Sequence, residues 1–167
     1  MKDMTHGNLQ DAFAGESQAH MKYMAFADAA EREKLPNVAR LFRAASYAEQ
    51  MHATNHLRAL GGIGKTLDNL EAAYGGETFE INEMYPAYIA VAELQGDKKA
   101  QGSMEDALAA EKIHQALYAA AKAAVGAGKD VDATPIWVCA TCGYTVDGEA
   151  PEKCPVCGAV RTKFQQF

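Results

Sequence analysis

The sequence predicts an all-α protein: an antiparallel four-helix bundle followed by a small C-terminal domain built on two cysteine knuckles. Apolar residues recur at helical spacing through residues 1–125. The composition then changes sharply, because 29 of the 33 Ala lie before Gly128 and all four Cys lie after it. We therefore divide the chain into a helical domain over 1–126, a linker over 127–135 and a C-terminal domain over 136–167.

Turn residues divide the helical part into four segments of about 25 residues each. Leu35 and Pro36 separate the first two helices, the glycine-rich segment 61–64 ends the second, Gly96 ends the third and Gly126 ends the fourth. Short connections within each pair of helices and one longer crossing between the halves are typical of such bundles.

Pro86 falls inside the third predicted helix. Proline has no backbone N–H, so the usual hydrogen bond to the carbonyl of Asn82 is lost. We expect a kink there, beside Glu77 and Glu80.

Charge and hydropathy exclude several classes of function. The chain has 16 Lys+Arg against 22 Asp+Glu, a formal charge of -6, and no basic cluster, so we expect no nucleic-acid partner. No apolar run is long enough to span a membrane. Residues 1–10 lack the features of an export signal, and we therefore expect a cytoplasmic protein.

The helical part contains an internal repeat. The segment FAGES at 13–17 recurs as YGGET at 74–78, and Glu49-x-x-His52 recurs as Glu111-x-x-His114. The two halves are therefore expected to be related helical hairpins that pack about an approximate two-fold axis.

Each predicted helix carries at least one acid on its apolar face. A buried carboxylate needs a compensating cation, and no Lys or Arg shares these faces, so we expect metal ions. One Glu from each of two helices and one Glu-x-x-His from each of the other two match the ligand set of ferritin-like di-iron or di-manganese proteins. One such motif alone is usually a solvated pair on a helix surface, but two copies in register favour a metal site. The candidate ligands are Glu16, Glu49, His52, Glu77, Glu111 and His114.

Glu80 breaks the symmetry of the repeat, because its equivalent in the first half is Ala19. It is either an exposed acid or a carboxylate placed to bind one ion in only one oxidation state. We consider it the candidate mobile ligand and a candidate catalytic proton carrier.

The cysteines form two CxxCG knuckles, with ligands Cys139, Cys142, Cys154 and Cys157. A tetrahedral tetrathiolate site is favoured over disulfides in a chain without an export signal. The knuckles alone slightly favour zinc, whereas a neighbouring oxidisable dinuclear site favours iron. Trp137, Tyr144 and Phe164 are expected to form the aromatic core of this short domain.

These motifs together resemble the rubrerythrin family over essentially the whole chain. The resemblance rests on FAGESQA at 13–19, both Glu-x-x-His pairs, Glu77-x-x-Glu80 followed by EMYP at 83–86, and the paired CxxCG knuckles. It implies a ferritin-like di-iron domain followed by a rubredoxin-like iron domain.

The resemblance also implies roles for individual residues. Glu49 and Glu111 would bridge the two irons, Glu16 and Glu77 would be terminal ligands, and His114 would bind the second iron. The first iron would exchange Glu80 for His52 on reduction. Tyr23 and Tyr85 match family tyrosines that form hydrogen bonds around the site, and they are the further candidate catalytic residues.

The implied activity is that of a non-haem di-iron peroxidase that reduces hydrogen peroxide to water in oxidative-stress defence. Electrons would come from NAD(P)H through an external reductase or rubredoxin and pass through the four-cysteine iron. The family usually forms homodimers, with helices exchanged between subunits in some members. Two alternatives are a ferroxidase or iron-handling protein and a non-enzymatic helical scaffold with a zinc ribbon.

Overall fold

The first part of the chain, Met1–Gly64, folds as a helical hairpin. The computed structural model, which describes residues 1–167, places α1 at Asp3–Arg32 and α2 at Pro36–Ala59. Lys34 takes a left-handed conformation with φ 61°, and the Leu35 N–H donates to the Ala30 carbonyl at 2.9 Å, which ends α1. Pro36 begins α2, where its missing N–H has no partner to lose. The predicted boundary between the first two helices is confirmed.

Small residues form the interface of this hairpin. Ala27 and Ala30 of α1 and Ala39 and Ala53 of α2 are buried, as is Ser46. Small side chains let two helices approach closely, so many large apolar side chains of the unit remain outside its interface. Exposed members of this group include Met21, Leu41 and Tyr47. Such apolar surface is typical of an interaction face.

The second unit, Lys65–Phe167, contains the other helices and the C-terminal strands. Its helices are α3 at Thr66–Phe79, α4 at Tyr85–Gln95 and α5 at Lys98–Gly126. Both α3 and α4 pack on α5, so they form the two parts of one interrupted arm. The left-handed Gly96 ends α4, and the Asp97 carboxylate accepts a hydrogen bond from the Ala100 N–H at 3.0 Å, which starts α5.

A π-helical turn at Glu80–Met84 separates α3 from α4. The Tyr85 N–H donates to the Glu80 carbonyl, a bond that spans five residues instead of the usual four. Pro86 lies in the first turn of α4, directly after the turn. The break expected at Pro86 is therefore present, but it takes the form of a widened turn. Single π turns inside helices occur frequently at functional sites.

The C-terminal strands form a small antiparallel sheet in the order β2-β1-β3. The strands are β1 at Ile136–Cys139, β2 at Thr145–Asp147 and β3 at Phe164–Gln166. Tyr144 and Phe164 pack edge to face at 6.3 Å, and Trp137 adjoins the same core. The predicted fold class is confirmed, whereas the domain limits at 126 and 136 stay a prediction. None of the helices is long and apolar enough to cross a membrane.

Candidate metal centres

The first hairpin brings together three of the predicted ligands. Glu16 of α1 and Glu49 and His52 of α2 place their ligand atoms within 4.8 Å of one another. His52 Nδ1 lies 2.9 Å from Glu49 Oε2 and 4.0 Å from Glu16 Oε1. The His52 side chain is 55% exposed and the two carboxylates are half-buried, so this cluster opens onto the surface of its own unit.

The second unit contains the equivalent cluster. Glu77 of α3 and Glu111 and His114 of α5 also place their ligand atoms within 4.8 Å of one another. His114 Nδ1 lies 2.6 Å from Glu111 Oε2, the same contact that His52 makes with Glu49. Two carboxylates and one imidazole at this spacing suit iron or manganese.

Matching hydrogen bonds support the internal repeat. The Ser17 hydroxyl donates to the Phe13 carbonyl at 2.7 Å, and the Thr78 hydroxyl donates to the Tyr74 carbonyl at 2.7 Å. Each bond spans the helical turn that contains a candidate ligand, Glu16 in the first half and Glu77 in the second. The sequence repeat is thus also a repeat of local structure.

The carboxylates of the second cluster are electrostatically strained without a cation. Burial, followed by the charge of Glu111, raises the pKa of Glu77 to about 7. Burial and the same Glu111 charge also raise the pKa of Glu80. The Tyr85 pKa is raised by burial and then by the charges of Glu111, Glu80 and Glu77. A bound cation would relieve this repulsion.

Three further predicted residues lie outside the tight clusters. Glu80 starts the π-helical turn and lies near enough to Glu111 to feel its charge. Tyr85 follows that turn and borders the same carboxylates. Tyr23 packs against Phe26 and Phe42, with ring centroids 6.2 and 6.1 Å away. Their assignment to the site stays a prediction.

The four cysteines converge at one point. Their sulfur atoms lie within 4.8 Å of one another, with 3.7 Å between Cys139 and Cys157 and 3.5 Å between Cys142 and Cys154. Metal–sulfur bonds of about 2.3 Å place the sulfurs of a tetrahedral site about 3.8 Å apart. A disulfide requires about 2.05 Å. The sulfur spacing therefore fits a tetrathiolate metal centre, and all four cysteines are free.

The first knuckle is arranged to stabilise a thiolate. Burial alone would raise the Cys139 pKa, but the backbone amides of Thr141 and Cys142 donate to its sulfur and lower the pKa to about 7. Burial and neighbouring thiols raise the pKa of Cys142. The protonation of each thiol thus depends on its neighbours. A metal ion bound by the four sulfurs would displace their protons.

Three polar residues near these clusters were not identified from the sequence. Thr145 bonds to His114, Gln115 donates to the Thr78 hydroxyl at 2.8 Å, and Ser46 contacts His20. Each belongs to a common residue type, and none repeats at helical spacing. Only the fold shows that these residues lie beside a candidate ligand or its helix, so the sequence offered no signal for them.

Comparison with known proteins agrees with this geometry. The family model described as "Rubrerythrin" matches residues 7–122, and the model described as "Rubrerythrin, rubredoxin-like domain" matches residues 137–165. The chain belongs to the rubrerythrin family. Rubrerythrin-2 of Clostridium acetobutylicum is 38% identical, with 98% of this chain and 97% of that protein covered. Nigerythrin of Nitratidesulfovibrio vulgaris is 33% identical, with 96% of this chain and 85% of that protein covered.

Solved structures of nigerythrin also resemble this rubrerythrin. The mixed-valence and fully reduced (all-ferrous) states are 34% identical in sequence, with TM-scores of 0.55 and 0.56. In each case 98% of this chain and 86% of the nigerythrin chain are covered. Rubrerythrins are oxidoreductases that bind a di-iron carboxylate site and a rubredoxin-like iron site. The predicted iron cofactors are therefore confirmed, and the donor sets described above fit them.

Proposed function

We propose that this rubrerythrin is a non-haem di-iron peroxidase that reduces hydrogen peroxide to water in oxidative-stress defence. The observation that carries the proposal is the contact between His114 and the domain that holds the four cysteines. A dinuclear iron site would supply two electrons to peroxide, and a neighbouring one-electron centre suits its re-reduction. A zinc scaffold or a simple iron store has no need of that contact.

The chain's own residues have separate tasks in this proposal. We assign the di-iron ligands to both clusters, with Glu49 and Glu111 bridging. Glu80 is the mobile ligand, because it is the first residue of the π-helical turn and so lies where the regular α-helical hydrogen-bond pattern is interrupted. Tyr85 borders the same carboxylates and is placed to hydrogen-bond near the reacting atoms. Tyr23 is assigned the equivalent task on the first hairpin.

Removing a bridging carboxylate tests the dinuclear site. We expect Glu49→Ala and Glu111→Ala to lose peroxidase turnover and dinuclear iron, while the visible spectrum of the four-cysteine iron stays intact. Glu105→Ala on the exposed surface of α5 is the matched control and should behave as the unmodified protein. Retained turnover in either bridging variant would refute the assignment. Comparing peroxide with oxygen as the oxidant in single turnovers separates a peroxidase from a ferroxidase.

The four-cysteine iron is assigned to the return of electrons. The donor proposed for it is rubredoxin or an NAD(P)H-linked reductase, with the protein acting in the cytoplasm. Cys139→Ser should still permit peroxide to oxidise the reduced dinuclear site in a single turnover. Re-reduction by the external donor should then stop. Unchanged steady-state turnover with that donor would exclude a relay through the cysteines.

We further propose a homodimer in which helical hairpins are exchanged between subunits. Ferritin-like bundles need one long crossover connection. In such a bundle within one chain, α2 and α3 would run parallel with Glu49 and Glu77 at the same level. Glu49 lies ten residues before the end of α2 and Glu77 eleven after the start of α3, so the connection would have to run back about 30 Å. The connection over residues 60–65 spans at most about 24 Å when fully extended. The helical hairpin of a second copy would complete the bundle without a long crossover. The exposed apolar side chains of α2 agree with such packing.

Complementation tests the exchange. Differently tagged Glu49→Ala and Glu111→Ala chains are co-expressed and the mixed dimer is purified. In an exchanged dimer one of the two sites combines both unmodified hairpins, so the mixed dimer should regain dinuclear iron that neither parent binds. In a dimer without exchange every site lacks one bridging carboxylate. A mixed dimer as empty as its parents would overturn the proposal.

A further inference from the structure

The imidazole of His114 is held on both sides. Nδ1 faces the carboxylates and lies 2.6 Å from Glu111 Oε2, whereas Nε2 lies 2.8 Å from the hydroxyl of Thr145. Thr145 belongs to the C-terminal domain and begins β2, 31 residues further along the chain. Both residues are in the same compact unit.

The direction of the second bond follows from the other contact of Thr145. Its hydroxyl donates to the Gly143 carbonyl at 2.9 Å, so the same oxygen is left to accept from His114 Nε2–H. Thr145 is only 5% exposed, which protects this geometry from solvent. A proton held on Nε2 leaves Nδ1 as the ring nitrogen that is available to a metal ion.

The first cysteine knuckle rests on α5 beside the same contact. Gly143 follows Cys142 directly, and its N–H donates to the Cys139 carbonyl at 2.9 Å. Its φ of +81° is a left-handed conformation, and a Cβ there would lie 3.9 Å from that of Ala110. Ala110 is buried and precedes Glu111. A continuous path of bonds thus leads from His114 through Thr145 and Gly143 to Cys142.

We propose that Thr145 is a positioning residue for the dinuclear site. Its hydroxyl accepts the Nε2–H hydrogen bond of His114, which orients Nδ1 toward the carboxylates and anchors the first knuckle on α5. The assignment rests on the proposed function, because it takes His114 as an iron ligand. Loss of such an outer partner typically lowers metal affinity or activity by about 10–100-fold.

The test compares Thr145→Val, which removes the hydroxyl at similar volume, with Thr145→Ser, which keeps it. Ferrous-iron affinity of the dinuclear site is measured by competition with a chelator. We expect Thr145→Val to lose about 10–100-fold in affinity and Thr145→Ser to match the unmodified protein. The spectrum of the four-cysteine iron and the far-ultraviolet circular dichroism verify folding in each variant.

A second readout follows the bond itself. In the ferrous-loaded protein the ring N–H of His114 should give an exchangeable, paramagnetically shifted proton resonance. The resonance should exchange with solvent faster in Thr145→Val than in Thr145→Ser, since both His114 and Thr145 line a cavity of about 630 Å³.

Cleavage of the 127–135 segment by a protease should also be faster in Thr145→Val if the anchor is lost. The proteolysis assay remains informative even if Thr145→Val binds no iron.

Unchanged affinity, exchange and cleavage in Thr145→Val would overturn the role of Thr145 while leaving the peroxidase proposal intact. Failure of the proposed function has a different signature, namely peroxidase turnover retained in Glu111→Ala. Equal losses in Thr145→Val and Thr145→Ser would also overturn the role, because the serine keeps the accepting oxygen.

Discussion

Glu111 is the residue that most affects the electrostatics of the second cluster. After burial, its charge is the next cause of the raised pKa values of Glu77, Glu80 and Tyr85, and its carboxylate also contacts His114. Acids that repel one another in this way bind a multivalent cation readily. The repulsion therefore stores part of the driving force for metal binding.

The raised pKa of Glu77 makes a prediction for the metal-free protein. The folded state holds a proton on Glu77 up to about pH 7, whereas the unfolded state releases it near the ordinary value of 4.5. Stability should therefore fall as pH rises through this interval, because the folded state binds more protons. Thermal unfolding of chelated protein between pH 4.5 and 8 should show this decline, and Glu77→Gln should reduce it. An identical pH dependence in that variant would contradict the electrostatic account.

Ser46 makes a prediction about stability. Its hydroxyl is fully buried, donates to the His20 carbonyl at 2.9 Å and lies 2.8 Å from His20 Nδ1. Ser46→Ala should destabilise the protein by about 1–3 kcal/mol, because buried polar partners lose a hydrogen bond. Urea unfolding measures the change, with Ser103→Ala on the exposed side of α5 as control. Equal stability of the two variants would show that the bond contributes nothing.

At this scale the sequence identified candidate ligands that the fold brings together, but not the polar residues that contact them. Glu49, His52, Glu111 and His114 repeat at fixed spacing and carry charge into apolar faces, so their pattern is visible. Thr145 and Ser46 contact histidines 31 and 26 residues away. A lone hydroxyl has no periodicity, so only the fold reveals its partner.

Among the elements, the π-helical turn at Glu80–Met84 most directly connects sequence to site. Pro86 predicted the position of the break in the third predicted helix, because proline has no N–H to donate to the carbonyl of Asn82. It could not predict the kind of break, since a kinked α-helix and a π turn both compensate for that loss. The helix boundaries next to Pro36 and Gly96 were predictable because residue chemistry alone determines them.

Proline replacement tests the turn. Pro86→Ala restores an N–H, so the α-helical ladder can run through the segment and Glu80 should rotate away from the carboxylates. We expect greater thermal stability of the metal-free protein and weaker binding of ferrous iron. Pro36→Ala, at the start of α2, is the control and should lower stability by about 0.4–1 kcal/mol without changing iron affinity. Unchanged iron affinity in Pro86→Ala would separate the turn from the site.

Across the whole molecule, the C-terminal domain depends most on metal. Its core consists of Cys139, Ala150, Cys154 and Phe164 with a few adjoining side chains. Domains shorter than about 40 residues usually need a metal or disulfides to fold. The change in composition predicted a separate C-terminal segment, and the two CxxCG knuckles predicted that its four cysteines come together. The grouping of its strands with α3–α5 was not predictable, because helical periodicity identifies an apolar face but not the element that covers it.

Trp137 provides a specific probe of this dependence, since it is the single tryptophan of the chain. Cys154→Ser should abolish the four-cysteine iron and shift Trp137 fluorescence to that of a solvated indole. Far-ultraviolet circular dichroism should remain helical, because α1–α5 do not use that metal. A buried-type Trp137 spectrum in the metal-free variant would show that the apolar core alone suffices.

The extra residue in the Glu80 turn also changes how the neighbouring helix should be drawn. On a helical wheel, one inserted position rotates everything downstream by about 100° relative to a continuous α-helix. Faces of α4 must therefore be phased from Tyr85 and not from Thr66. A mutational scan that carries a single phase from residue 66 to residue 95 would assign side chains such as Tyr88 and Leu94 to the wrong side.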